Sequence, residues 1–223
     1  MKTRHKLKSL SWIEIFGKIN LIISGICGLF FLWLTVLAVE KNVQLKEFDE
    51  NFLVQLKNSL PPLFIYVAKI FYWVGDAETS AIVVLVSLAI LCWRRYWLEA
   101  QVVAASSLGV LILIDKMVKP LIRRSRPLGR LVDVDGRSFP SGHATGNFLL
   151  YFLLVYILSV RFPKYTPYFY ATAIVTIILM GISSMYLRVH WFTDILGGYS
   201  LGFILLTLSI GLLKITDKKY QKS

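Results

Sequence analysis

The segment from Lys119 to Asp194 decides how the whole chain is interpreted. It begins with KPLIRRSRP (119–127), continues through FPSGHATGN (139–147) and ends with SSMYLRVHWFTD (183–194). These three stretches hold two of the chain's three histidines, a cluster of basic side chains and one aspartate. Because the sequence around them is mostly apolar, we expect a membrane frame that brings the three stretches together.

The composition is typical of a membrane protein. Hydrophobic residues make up 56% of the 223 residues, whereas soluble domains average about 45–50% apolar residues. A helix that crosses the hydrocarbon core needs about 20 apolar residues, and this rule predicts one all-α domain over residues 1–223, an integral membrane bundle of six helices. The predicted spans are residues 19–39, 79–93, 97–118, 142–160, 168–186 and 191–213.

Two further segments lie between the first two predicted spans. Glu40–Leu60 is polar and of mixed charge, so we expect it outside the membrane or at its interface. Leu63–Val74 is apolar, is short for a span and carries Lys69, which predicts a short interfacial or re-entrant helix. Both cysteines, Cys27 and Cys92, lie in apolar runs and are predicted to be ordinary buried residues.

Positive charge predicts the orientation. The formal net charge is +12, and six spans place both termini on one side, together with Arg94, Arg95, Arg161 and Lys164. By the positive-inside rule that side is the cytoplasm, so we expect a plasma or inner membrane protein with an extracytoplasmic active site. The dense basic run 119–137 would then lie outside, which we interpret as an anion-binding site. Charges scattered between apolar segments disfavour nucleic acid as a partner.

The middle stretch has the features of a phosphate-binding helix start. Ser141 precedes an apolar run and is predicted to cap a helix, whose free N–H groups suit phosphate. Gly142 allows the backbone to approach an anion closely, and His143 falls in the first turn. Taken alone, the motif is better explained by an ordinary cap beside an interfacial histidine, and only the other two stretches favour a phosphate site.

The first stretch supplies candidate phosphate ligands. Lys119 and Arg126 can both donate to phosphate oxygens. Pro120 and Pro127 predict that the chain leaves the helix and turns. The remaining arginines are predicted to be solvated loop residues: Arg123, Arg124, Arg130 and Arg137.

The last stretch contains a candidate nucleophile. His190 and Asp194 are four residues apart, so on a helix Asp194 could accept a hydrogen bond from one ring nitrogen and leave the other free to attack. The alternatives are an interfacial histidine beside a first-turn acid and a two-histidine, one-carboxylate metal site. Because Lys119 and Arg126 favour an oxyanion over a cation, we predict neither a metal nor a cofactor.

Together, KPLIRRSRP, FPSGHA and L-x-V-H-W-x-x-D resemble the three signature motifs of the type 2 phosphatidic acid phosphatase superfamily, and the six-span layout resembles its membrane branch. The resemblance implies hydrolysis of a lipid phosphate or diphosphate, such as phosphatidic acid, phosphatidylglycerol phosphate or undecaprenyl diphosphate. It implies that His190 attacks phosphorus to form a phosphohistidine, that Asp194 holds its ring and that His143 protonates the leaving group. The phosphate ligands that it implies are Lys119, Arg126, Ser141 and Gly142.

One position departs from the family pattern. The third motif of the family normally begins Ser-Arg, but this chain has Ser183-Ser184. Losing one such donor typically lowers the rate about 10²–10³-fold. Arg188 could replace it if the helix continues past Ser184, or one of the loop arginines could reach in. Otherwise the protein is slow, or is a lipid-phosphate binding protein; a lipid phosphotransferase is a further alternative.

Overall fold

The computed structural model describes residues 11–216, so the basic terminal residues used to predict orientation lie largely outside the described residues. All regular elements within this range are helical. The helices are α1 (Trp12–Phe16), α2 (Lys18–Val39), α3 (Val43–Ser59), α4 (Phe64–Val74), α5 (Ala77–Trp93), α6 (Trp97–Leu111), α7 (Lys119–Ile122), α8 (Gly142–Arg161), α9 (Thr166–Tyr186) and α10 (Phe192–Thr216).

Five helical stretches among residues 11–216 are long and apolar enough to cross a membrane. They are Lys18–Val39, Trp97–Ile122, Gly142–Arg161, Pro163–Tyr186 and Phe192–Thr216. A sixth arises if α4 and α5, which meet at a bend of 48°, are counted as one broken span. The prediction of an all-helical membrane bundle is confirmed, with five to six apolar spans. The interfacial position of 63–74 stays a prediction.

The third predicted span continues further than expected. A π-helical segment, Ile112–Val118, joins α6 to α7, and the helix ends only at Ile122. The chain leaves the helix within this stretch, as predicted, but only after Ile122, because Pro120 occupies the first turn of α7, where a missing N–H is tolerated. Lys119 is therefore presented from a helix and not from a loop.

Close packing of α8 against α10 brings the second and third motifs together. A Cβ atom at Gly198 would lie 2.8 Å from the Ala144 Cβ and 2.9 Å from the Ser141 carbonyl oxygen, so the approach depends on glycine. The Ser141 N–H donates to the Asp194 carbonyl at 3.1 Å. The N-terminal ends of these two helices are thereby fixed side by side.

The polar segment after α2 forms a helix that covers the start of α10. Asn42 caps α3, since its Oδ1 accepts from the Leu45 N–H at 2.9 Å. Phe52 stacks on Phe192 with ring centroids 4.1 Å apart, and Leu53 is buried. One face of α3 therefore belongs to the protein interior, next to the third motif.

Candidate active site

Arg126 holds the loop between α7 and α8 against the third motif. Its Nε donates to the Gly136 carbonyl at 3.3 Å, its Nη2 to Asp135 at 3.1 Å and its Nη1 to Val189 at 3.0 Å. The same Nη1 lies 3.2 Å from His190 Nε2. Because a guanidinium can only donate, this contact favours the tautomer in which Nε2 carries the lone pair. The predicted attacking atom and a predicted phosphate ligand are thus neighbours.

The other ring nitrogen of His190 faces Asp194. His190 Nδ1 lies 3.5 Å from Asp194 Oδ2, slightly longer than a well-formed hydrogen bond, and catalytic contacts of this kind commonly tighten when substrate binds. The two side chains lie close together as predicted, but they do not share a helix face, because α10 begins only at Phe192. The turn through Trp191 makes the contact, and the Trp191 N–H donates to Asp194 Oδ2 at 2.9 Å.

The surroundings of His190 favour a neutral ring. The residue is 1% exposed, and this burial lowers the pKa of His190 below its ordinary value. Asp194 opposes the change, whereas the positive charges of Arg126 and Lys119 lower the pKa further. A histidine that stays neutral towards acid pH keeps the lone pair that a nucleophile needs.

Arg124 joins two buried carboxylates behind His190. Its Nη1 lies 2.6 Å from Asp194 Oδ1, and its Nη2 lies 2.6 Å from Asp49 Oδ2. The prediction that Arg124 is a solvated loop residue is wrong, since its side chain is only 10% exposed and both carboxylates are buried. The exposed Arg123, Arg130 and Arg137 agree with that prediction.

Asp49 is part of the site, although no sequence pattern predicts it. Its Oδ1 accepts from the Thr193 N–H at 3.0 Å and its Oδ2 from the Thr193 hydroxyl at 2.6 Å. Burial raises the pKa of Asp49, whereas Arg124 and Thr193 lower it. The residue lies in the segment predicted to be outside the membrane, far from the three motifs in sequence, and no spacing links it to them.

His143 shares the space in front of His190. The ring centroids of the two histidines are 6.4 Å apart. His143 Nε2 lies 3.4 Å from Asp76 Oδ1, and its ring stacks on Tyr72 with centroids 5.1 Å apart. Tyr72 lies in the last turn of α4 and Asp76 immediately precedes α5, and no sequence pattern singles out either of them.

The start of α8 is built as predicted. Ser141 Oγ accepts from the Ala144 N–H at 3.2 Å and caps the helix. Lys119 reaches this helix end, since its Nζ lies 3.6 Å from the point where a Cβ of Gly142 would stand. Lys119 also pairs with Asp115 at 2.7 Å. The capped helix end and Lys119 together place positive charge beside both histidines.

The helix does not reach Arg188, because α9 ends at Tyr186 and Arg188 has a φ of +57°. Its guanidinium pairs with Glu50, and its Nε donates to the Leu128 carbonyl at 2.7 Å. A phosphate contact by Arg188 stays a prediction and would compete with Glu50. Ser184 is buried, and its hydroxyl donates to the Met180 carbonyl at 3.0 Å.

Acidic, histidine and cysteine side chains do not gather into a metal site in the part of the chain that the structure describes: no group of three or more could hold an ion. Arg126 and Lys119 instead bring positive charge to His190. An apolar helical bundle with a buried histidine, a half-buried histidine and cations at its helix ends defines an integral membrane protein with a site suited to oxyanions.

The comparisons with known proteins agree with this class. Residues 78–215 match the model of the PAP2 superfamily, and the chain belongs to this family. It is 34% identical over 134 residues to phosphatidylglycerophosphatase B of Bacillus subtilis (strain 168), a match that covers 58% of this chain and 65% of that relative, just under two thirds of its length.

A solved structure shows the same arrangement over most of the chain. The fold is similar, with a TM-score of 0.78 and 28% sequence identity, to the crystal structure of a transmembrane PAP2 type phosphatidylglycerolphosphate phosphatase from Bacillus subtilis. The similarity covers 87% of this chain and 98% of that chain. The family predicted from the three motifs is thereby confirmed.

Proposed function

We propose that this protein is a membrane lipid-phosphate phosphatase that works through a phosphohistidine on His190. The observation that carries the proposal is the setting of His190, with Nε2 3.2 Å from Arg126 Nη1 and Nδ1 3.5 Å from Asp194 Oδ2. Phosphoryl transfer needs a positioned nucleophile and positive charge on the phosphoryl oxygens, and this setting offers both.

In the proposed first step, His190 Nε2 attacks phosphorus and forms a P–N bond while the P–O bond to the lipid breaks. His143 donates a proton to the departing oxygen, and Asp194 stabilises the charged ring of His190. In the second step, water attacks phosphorus as His143 takes a proton from it, the P–N bond breaks and inorganic phosphate leaves. The proposed phosphate ligands are Lys119, Arg126, Ser141, Gly142 and, in competition with Glu50, Arg188.

A metal ion is not required in this scheme. Lys119, Arg126 and the N-terminus of α8 supply the positive charge that a metal would otherwise bring to the phosphoryl oxygens. We therefore propose a metal-independent reaction, which full phosphate release in the presence of a chelator would support.

The proposed substrate is a lipid because the site lies at the ends of apolar helices, where a headgroup can enter while acyl chains stay between the spans. Both bacterial relatives are named for phosphatidylglycerol phosphate, which is therefore the first substrate to test, before phosphatidic acid and undecaprenyl diphosphate. We further propose that the site faces the extracytoplasmic side of a plasma or inner membrane, that both termini are cytoplasmic and that α4 lies at the interface.

The test is phosphate release by purified protein in detergent from these three lipids. We expect His190→Ala to lose at least about 10³-fold in turnover. The control is Arg94→Gln, an exposed change at the end of another helix, which should keep the wild-type turnover. Quenching in alkaline denaturant, in which the P–N bond of a phosphohistidine survives, with substrate labelled on its phosphoryl group should trap label on the wild-type protein and none on His190→Ala. Turnover that persists in His190→Ala contradicts the proposal, and a phosphorylated acceptor in place of free phosphate would indicate a phosphotransferase.

A second candidate is a lipid-phosphate binding protein with little turnover. Ser184 favours it, because a buried serine stands where the family motif has arginine, and its hydroxyl is engaged by Met180. Wild-type protein that binds the lipid but releases no phosphate would support this candidate. Phosphate release abolished in His190→Ala would exclude it.

A further inference from the structure

A basic cavity lies next to the site, apart from the space in front of His190. It measures about 380 Å³ and is enclosed by the end of α2, the start of α3 and the loop after α7. Ligand pockets typically measure about 300–1,000 Å³, so its size suits a headgroup. The cations that line this cavity are Lys41, Lys46, Arg123, Arg124 and Arg137. Neither histidine of the catalytic pair lines it, so it is separate from the space in front of His190.

The charge in this cavity is not balanced. None of the residues that line it within 11–216 is acidic. Arg124 has Asp49 and Asp194 as partners, but within the described residues the other four cations form no ion pair. Like charges that converge on one space repel one another, and a bound anion relieves this repulsion. The cavity therefore selects an anion with several acceptor oxygens.

One side of the cavity is apolar and continues onto the membrane face of the bundle. Leu37, Leu45 and Ile122 line it, and on the helix that provides Leu37, the side chains of Trp33 and Val36 are exposed. An inorganic anion would make no use of these residues. A phospholipid would use both parts, with its phosphate among the cations and its acyl chains along α2.

We propose that this cavity binds the phosphate headgroup of an anionic membrane phospholipid that is not cleaved. The reacting phosphate is a different group, because it must reach His190, which is not part of the cavity lining. Arg124 connects the two places, since it lines the cavity and also binds Asp194. The proposal does not depend on turnover and stands or falls separately from the proposed phosphatase activity.

The experiment uses His190→Ala protein, so that binding is measured without catalysis. The protein is reconstituted in phosphatidylcholine vesicles with or without phosphatidylglycerol, and co-purifying lipid is counted by native mass spectrometry. The test variant adds Lys41→Gln and Arg137→Gln, and the matched control adds Arg94→Gln and Arg95→Gln, which remove the same charge elsewhere. We expect the test variant to lose at least about tenfold in affinity for phosphatidylglycerol, as for two lost charge-assisted hydrogen bonds, and the control to lose none.

The proposal is overturned if the test variant and the control retain equal amounts of phosphatidylglycerol. It is also overturned if the protein retains phosphatidylcholine as well as it retains phosphatidylglycerol. A third arm adds inorganic phosphate. Persistence of the lipid supports a phospholipid site, whereas full displacement by phosphate would assign the cavity to a free anion. If the double change prevents folding, Lys46→Gln and Arg137→Gln are tested singly, since both residues are exposed.

Discussion

Arg124 Nη1 binds Asp194 Oδ1 at 2.6 Å, and this ion pair lies directly behind the His190 ring. One oxygen of Asp194 therefore serves Arg124, and the other is left for the Trp191 N–H and His190 Nδ1. A buried charge that loses its partner is strongly destabilising. The position of the proposed nucleophile thus depends on a line of alternating charges that ends at Asp49.

Asp49→Asn tests this line of charges. The change keeps the shape of the side chain but leaves Arg124 with one carboxylate fewer, and we expect the free energy of unfolding to fall by about 3 kcal/mol. The positive charge of Arg124 then acts more strongly on Asp194 and His190, so the pKa of His190 should fall. The acid limb of kcat/KM should move to lower pH. Glu47→Gln, an exposed change on the same helix, is the control, and an equal shift in both variants contradicts the role of Asp49.

The wild-type pH–rate profile should be bell-shaped. Attack requires neutral His190, so activity is lost as the pH falls through the pKa of His190, which burial lowers. The acid limb should therefore lie below the ordinary histidine value of about 6.5. The proposed proton donor, His143, accounts for the alkaline limb. Measurement of kcat/KM across the pH range checks both limbs, and an acid limb above the ordinary value would contradict the assignment of His190.

Ser184→Arg tests the missing motif residue. Because Ser184 is buried beside Met180 and Gly181, a larger side chain should lower the free energy of unfolding by about 1–3 kcal/mol. If the site lacks a phosphate donor, turnover should nevertheless rise at least about tenfold. Ser184→Met is the matched control, because it adds bulk without charge. Equal turnover in the two variants would mean that no donor is missing.

Arg188 and Glu50 can be tested together. A phosphate contact by Arg188 requires its guanidinium to leave Glu50, so Glu50→Gln should lower KM for the lipid, and Arg188→Ala should raise it. Both effects should be severalfold at most, since the pair is partly exposed. If neither change alters KM, Arg188 only anchors the loop through the Leu128 carbonyl, and another group supplies the missing charge.

Gly198→Ala tests the contact between α8 and α10. The added Cβ would meet the Ser141 carbonyl at 2.9 Å, so we expect a loss of about 1–3 kcal/mol in unfolding free energy, with a drop in kcat as the start of α8 shifts away from His190. Gly25→Ala is the control, since nothing lies within 4 Å of its Cβ. Equal stability of the two variants in thermal unfolding would argue against a tight contact.

The sequence predicted those features that depend on local patterns. Helix spans follow from runs of apolar residues, and the cap at Ser141 and the pairing of His190 with Asp194 follow from short spacings. Arg124 and Asp49 could not be predicted, because their contact joins positions far apart in the chain. The bend between α4 and α5 was not predicted for a different reason. The length rule is applied to each apolar run separately, so it cannot identify two shorter helices that form one broken span.

The family match begins at residue 78, but Asp49, Glu50 and Lys41 come before it. A chimaera that took the matched region from this protein and α1–α3 from another would keep every motif and still leave Arg124 facing a foreign helix. Exchange between relatives should therefore succeed only when α3 travels with the loop that contains Arg124. The helix that carries Asp49 should therefore be treated as part of the active site, and not as a membrane anchor that can be exchanged between relatives.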